Sequence, residues 1–182
     1  MKILIVGGSK SGKSMAAQRI ARMLAAHGSC PAYYWATMEP SDSEDEKRIA
    51  RHLEARAGWG FETIECGADL LTCLNYDTNG SFLLDSVTAL LQNVMFPVEK
   101  NYEMDLAAAE TCAKDVVAFA KSVANAVIVS DYIYSDAQRY DEGTECYRKS
   151  LAKIDRLLAQ LSDTVIEVSA GQVILHKGEL PV

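Results

Sequence analysis

Short apolar runs recur along the chain at residues 3–6, 32–36, 61–64, 82–84, 126–129 and 165–168, most of them continuous rather than alternating. Strands read this way when both of their faces are covered, as in a parallel sheet, so each of these stretches is expected to be a buried strand. Between most of them the pattern changes to a helical one. After a glycine-rich segment, Ala16, Ile20, Met23 and Leu24 follow the i, i+4, i+7, i+8 spacing of a buried helix face, and Gly28 offers a stop. Further helices are expected over 44–56, 86–95, 104–124 and 142–161. The alternation of strand and helix predicts an α/β fold, a mostly parallel sheet with helices on both faces, whose ligands gather beyond the carboxyl ends of the strands. Residues 164–177 hold two β-like runs around Ser169-Ala170-Gly171-Gln172, which are expected to close the sheet as a C-terminal β-hairpin. Segments 75–81 and 97–101 read as surface loops. Nothing in the pattern divides the chain, and 182 residues suit one domain, 1–182.

Composition narrows the field. A net charge of -7 argues against a nucleic-acid partner, because phosphate backbones reward clustered Lys and Arg. No window approaches the roughly 18 apolar residues of a membrane-spanning helix. Met1-Lys2 runs directly into an apolar strand and glycines, without the longer apolar stretch and cleavage site of a secretory signal, so a cytoplasmic setting is expected. The five cysteines, at 30, 66, 73, 112 and 146, are odd in number, scattered and free of any C-x-x-C pair. They read as reduced thiols, neither a disulfide framework nor a zinc site.

The segment Gly7-Gly8-Ser9-Lys10-Ser11-Gly12-Lys13-Ser14 satisfies G-x-x-x-x-G-K-[ST], and it lies where that motif requires, after an apolar strand and before an amphipathic helix. The glycines let the backbone aim successive N–H groups at phosphate oxygens, and the helix N-terminus adds partial positive charge. Lys13 is placed to reach the β- and γ-phosphates of a nucleotide, and Ser14 to bind Mg2+. The fold expected is therefore P-loop NTPase-like. A P-loop also needs an acidic partner for its metal, usually at the end of another buried strand. Asp85 follows 82–84 and Asp131 follows 127–130; both also fit a strand-end turn or helix cap, and the pattern does not choose between them.

A second constellation lies on the expected helix 44–56. Positions four apart share a face, so Arg48, His52 and Arg56 form one stripe in which two guanidiniums bracket an imidazole. Such a stripe suits a phosphate chain: a neutral histidine can attack an α-phosphorus while the arginines offset the charge of departing pyrophosphate. The alternative is a solvated helix face in which Glu44 pairs with Arg48. His27, at the end of the first helix, and His176, beside Lys177, carry no assigned role.

With these residues in place, the chain resembles the bifunctional adenosylcobinamide kinase/adenosylcobinamide-phosphate guanylyltransferase family of cobalamin biosynthesis over nearly its whole length. Residues 5–14 resemble the family's T-G-G-x-x-S-G-K-S loop, and Tyr34-Trp35-Ala36-Thr37 its Y-I-A-T strand. Asp45 to Arg56 is similar to D-x-E-M-x-x-R-I-x-x-H-x-x-x-R, with His52 at the position of the guanylylated histidine. Residues 83–96 resemble L-L-[DE]-[CS]-[IVL]-T-x-[LM]-[VL]-x-N-[LMV], which favours Asp85 over Asp131 as the Mg2+-side carboxylate. Tyr147-Arg148 resembles the F-R of a later helix. The chain departs from the family pattern after the fifth strand, where N-E-V-G becomes Asp131-Tyr132-Ile133-Tyr134, and in the later helix, where G and N-Q become Ala152, Asp155 and Arg156. The resemblance implies a transferase that uses ATP and GTP with Mg2+ on a corrinoid substrate. It places Thr37, Arg48 and Arg56 with the loop on the nucleotide, Lys13, His52 and Asp85 in catalysis, and the chain in a homotrimer. Two rival readings are a P-loop kinase for another small metabolite and a nucleotide-binding module without turnover.

Overall fold

The computed structural model describes residues 1–38, 47, 49–51, 53, 54 and 56–180. Seven strands form one sheet: β1 (Lys2–Gly7), β2 (Ala32–Ala36), β3 (Phe61–Glu65), β4 (Ser81–Asp85), β5 (Asn125–Asp131), β6 (Thr164–Ser169) and β7 (Gln172–Lys177). Their order across the sheet is β3-β2-β4-β5-β1-β6-β7. The first six run parallel, and β7 returns antiparallel to β6 as the expected hairpin. Fully described α-helices are α1 (Lys13–Gly28), α2 (Val87–Met95), α3 (Leu106–Ser122) and α4 (Glu142–Leu161). Residues 47, 49–51, 53 and 54 are also helical, so the expected helix over 44–56 is present where it is described, and Arg56 lies in the turn after it.

Continuous apolar strands arise because both faces of the sheet are covered. Ile3 and Ile5 of β1 point to α1, where Ala17 and Ala21 bring the helix close, while Leu4 between them joins the core under α2, α3 and α4. That second core is the larger and more aromatic. Trp35 and Phe82 each meet Phe119 of α3 edge-on, with ring centroids 5.3 and 5.6 Å apart. All three rings are fully buried, and each contributes roughly 1.5–3 kcal/mol of burial free energy. Strand β7 stands outside both cores: Val173, Ile174 and Leu175 are exposed at the sheet edge.

Helix starts follow from side-chain caps. Ser86, Asp105 and Asp141 accept hydrogen bonds from Ala89, Ala108 and Thr144 N–H at the starts of α2, α3 and α4. The Asp105 cap moves the start of α3 two residues past the expected Met104. At the other end of α1, Gly28 is the last helical residue, but the left-handed turn sits one residue on, at Ser29 with φ 48°. No described helix is long and apolar enough to cross a membrane. Cys30, Cys66, Cys112 and Cys146 are free thiols.

Candidate functional site

Beyond the carboxyl end of β1 the chain turns through the phosphate loop into α1. Gly7 admits no side chain, since a Cβ there would lie 2.4 Å from Val168 O and 2.9 Å from Ser11 Oγ. Gly12 enters α1 with φ 99°, a left-handed conformation that favours glycine. The hairpin turn between β6 and β7 closes on this loop, Gly171 N–H donating to Ser11 O at 3.1 Å. Ser11 Oγ is buried without a partner among the described residues. A buried hydroxyl without a partner is an unused donor inside the loop. Lys13 is only 6% exposed, and its ammonium donates to Gly8 O at 2.7 Å and Asp131 Oδ1 at 2.6 Å.

A cleft of about 900 Å3 opens over the loop. Ser9 to Ser14 form its floor, Asp85 and Asp131 stand at the strand ends beside it, and Tyr34 and Arg56 close one wall. Ile49, Arg51 and Leu53, from the helical segment after β2, also line it. Arg48 and His52 lie outside the described residues.

The two carboxylates have different partners. Asp85, at the end of β4, accepts from the Tyr34 hydroxyl at 2.9 Å. Burial raises the Tyr34 phenol above its ordinary range, and the Asp85 charge raises it further, so it stays a proton donor. Arg56, 8% exposed, lies over the Tyr34 ring with its guanidinium carbon 3.9 Å from the centroid and donates to Thr63 Oγ1 at 3.3 Å. Asp131, at the end of β5, takes the ammonium of Lys13, and its own N–H donates to Thr88 Oγ1 at 2.9 Å.

Thr37 is fully buried rather than open to the cleft. Its hydroxyl donates to Ser86 O at 2.9 Å and accepts from Ser86 N–H at 2.8 Å, so it fixes the turn that follows Asp85. Sequence reasoning left several supports of the site without a role. Asp155 of α4 is buried, accepting from Ser130 Oγ at 3.0 Å and Tyr134 OH at 2.7 Å, on either side of Asp131 in the chain. Burial pushes its carboxyl up to about 6, against the two hydroxyl hydrogen bonds and with help from the Asp131 charge. Arg148, 6% exposed, holds the loop after β5 through Ile133 O, Asp136 O and Gln138 O. A signal for both exists in the sequence: they sit on the buried stripe of α4 with Tyr147, Leu151, Ile154 and Leu158, where a charge is out of place unless partnered. His176 pairs with Glu167 at 2.8 Å, and Tyr132 donates to the same carboxylate at 2.9 Å.

A parallel sheet ordered in this way, with a glycine-lined phosphate loop after a central strand and a buried lysine at the helix start, defines the P-loop NTPase-like class. A crystal structure of a KaiC-like protein from Pyrococcus horikoshii has the same fold, with a TM-score of 0.51 over 98% of this chain and 79% of that one at 11% identity. Residues 3–175 match the family model of cobinamide kinase / cobinamide phosphate guanyltransferase, and the chain belongs to that family of transferases. It is 28% identical to the bifunctional adenosylcobalamin biosynthesis protein CobU of Salmonella typhimurium, over 94% of this chain and 97% of the relative. It is 35% identical to the bifunctional adenosylcobalamin biosynthesis protein CobP of Pseudomonas aeruginosa, over 52% of this chain and 53% of that protein.

Proposed function

We propose that this chain phosphorylates the hydroxyl of adenosylcobinamide and then transfers a guanylyl group from GTP to adenosylcobinamide phosphate by way of His52, in cobalamin biosynthesis or salvage. Support comes first from the floor of the cleft, formed by the phosphate loop from Ser9 to Ser14 with its buried Lys13, where a phosphate chain would rest. The neighbours of His52 in sequence, Arg51 and Leu53, line the same cleft.

In the guanylyl step an imidazole nitrogen of His52 attacks the α-phosphorus of GTP; an N–P bond forms, the bridging P–O bond breaks, and pyrophosphate leaves with the electron pair. A phosphate oxygen of adenosylcobinamide phosphate then attacks the same phosphorus, and the N–P bond breaks to free the histidine. Lys13 and the loop amides hold the phosphates, and Arg48 and Arg56 orient them. The donor set at the strand ends fits Mg2+, which takes oxygen ligands and keeps several waters: the Ser14 hydroxyl and the Asp85 carboxylate line the cleft together. Mg2+ bound there supplies charge neutralisation on the phosphates. Incubation with α-labelled GTP is expected to leave an acid-labile label on the wild-type chain and none on His52→Ala. Label at wild-type level on that variant would remove the histidine step.

A further inference from the structure

The resting partner of Lys13 is a carboxylate, and that pairing bears on the phosphoryl-transfer step. Lys13 Nζ sits 2.6 Å from Asp131 Oδ1 and 2.7 Å from Gly8 O, which leaves one of its three donors for a phosphate. Two hydrogen bonds of this length meeting at the tetrahedral angle of one ammonium hold their acceptors about 4.3–4.6 Å apart. A terminal phosphate oxygen on Lys13 therefore stands about that far from the Asp131 carboxylate, the separation a hydroxyl fills when its oxygen faces phosphorus and its proton faces a base. The carboxylate is 22% exposed, open to the cleft on one side.

Asp131 is also held firmly. Its N–H donates to Thr88 Oγ1, the residue before it grips Asp155 through Ser130 Oγ, and Tyr134 three residues on grips the same Asp155 oxygen. Arg148 then fixes the loop that follows. Among the described residues Asp85 makes no ion pair with the lysine, and its partner is the Tyr34 hydroxyl. The two strand-end carboxylates thus line one cleft with different partners, Asp131 on the lysine and Asp85 on the Tyr34 hydroxyl.

We propose that Asp131 is the general base of the phosphoryl-transfer step, held beside the reacting phosphate by the ammonium the two share. The proposal rests on the kinase half of the function proposed above. The acceptor hydroxyl oxygen attacks the terminal phosphorus and forms an O–P bond while its proton passes to an Asp131 oxygen. The bond from that phosphorus to the bridging oxygen breaks, and its electron pair leaves with the nucleoside diphosphate.

The test is γ-phosphoryl transfer from labelled ATP and GTP to cobinamide at saturating Mg2+, with nucleotide affinity measured separately by equilibrium dialysis. Asp131→Asn is expected to lower kcat about 10²–10³-fold, with nucleotide Kd unchanged or tighter because Lys13 loses a competing anion. Asp131→Glu is expected to recover part of the rate. An Asn variant within about 3-fold of wild-type kcat would overturn the proposal. So would a loss of rate that excess Mg2+ restores, which would place Asp131 on the metal. Absence of transfer by the wild-type chain would overturn the kinase reading itself, and this proposal with it.

Discussion

Two neighbouring strands, β4 and β5, end in the same residue type, yet the surroundings of Asp85 and Asp131 have little in common. Asp85 takes a hydroxyl from Tyr34, whose ring carries Arg56, and the turn beyond it is pinned by Thr37. Asp131 takes an ammonium from the phosphate loop, and its stretch of chain is clamped from α4 by Asp155 and Arg148. A carboxylate on a neutral donor keeps most of its negative charge available for a cation, whereas one on an ammonium is already compensated. Position at a strand end makes both residues candidates; the partner decides what each can do.

The largest expected effect comes from removing the ammonium. Lys13→Met keeps the length of the side chain but takes from the cleft its buried cation and from Asp131 its counter-ion. Phosphoryl transfer is expected to fall by about 10³-fold in kcat/KM, the scale of losing an electrostatic contact aimed at developing charge. If Asp131 acts through Lys13 in the resting state, adding Asp131→Asn to Lys13→Met restores nucleotide affinity without restoring turnover. Equilibrium dialysis beside a rate assay separates the two. A double variant no better at binding than Lys13→Met would show that the pairing carries no weight.

The support behind Asp131 is titratable. Asp155 ionises at about pH 6 in the folded chain because burial disfavours its charge, against 3.8 ordinarily. The folded chain therefore binds more protons than the unfolded one between about pH 4 and pH 6, and stability falls as pH rises through that window. Above it the full cost is present, at most about 3 kcal/mol for a shift of this size. Asp155→Asn keeps an acceptor for Ser130 and Tyr134 and has no proton to lose. It is expected to be more stable than wild type above pH 6, by up to about 3 kcal/mol, and equal below pH 4. Urea midpoints at pH 4 and pH 7.5 check this; parallel pH dependence in the two chains would place the buried charge elsewhere.

The sequence pattern predicted all six runs as strands and the closing hairpin; five are buried on two faces with few polar positions to confuse the period, whereas β3, at the sheet edge with Glu62 and Glu65 exposed, is a strand but not the buried one expected. Residues of the phosphate loop were legible for a similar reason: the motif is local, and its geometry needs glycine where glycine stands. Polar partnerships were not legible, since they join distant segments. Lys13 and Asp131 are 118 residues apart, and Tyr34 and Asp85 are 51 apart. Thr37 was placed on the nucleotide by its strand motif, but a hydroxyl at a strand end has two choices, ligand or neighbouring turn, and here the backbone of Ser86 takes it. Asp155 left a readable trace as an acid on the apolar stripe of α4, although nothing local names its partners.

The smallest of these effects separates the strand ends most directly. Tyr34→Phe removes the one hydrogen bond from Tyr34 to Asp85 while leaving the ring on which Arg56 rests. With Asp85 on the metal side, loss of that donor loosens the carboxylate without touching Lys13 or Asp131. The expected result is about a 10-fold rise in the Mg2+ concentration for half-maximal transfer, the lower end of what supporting hydrogen bonds contribute to metal sites. At saturating Mg2+, kcat is expected to approach that of wild type, whereas Asp131→Asn stays slow at every Mg2+ concentration. A Mg2+ titration of the two variants side by side therefore reads out which carboxylate serves the metal. Should Tyr34→Phe lose kcat that Mg2+ cannot restore, Asp85 would be acting on the reacting atoms, and the division of labour between the two strand ends would have to be reversed.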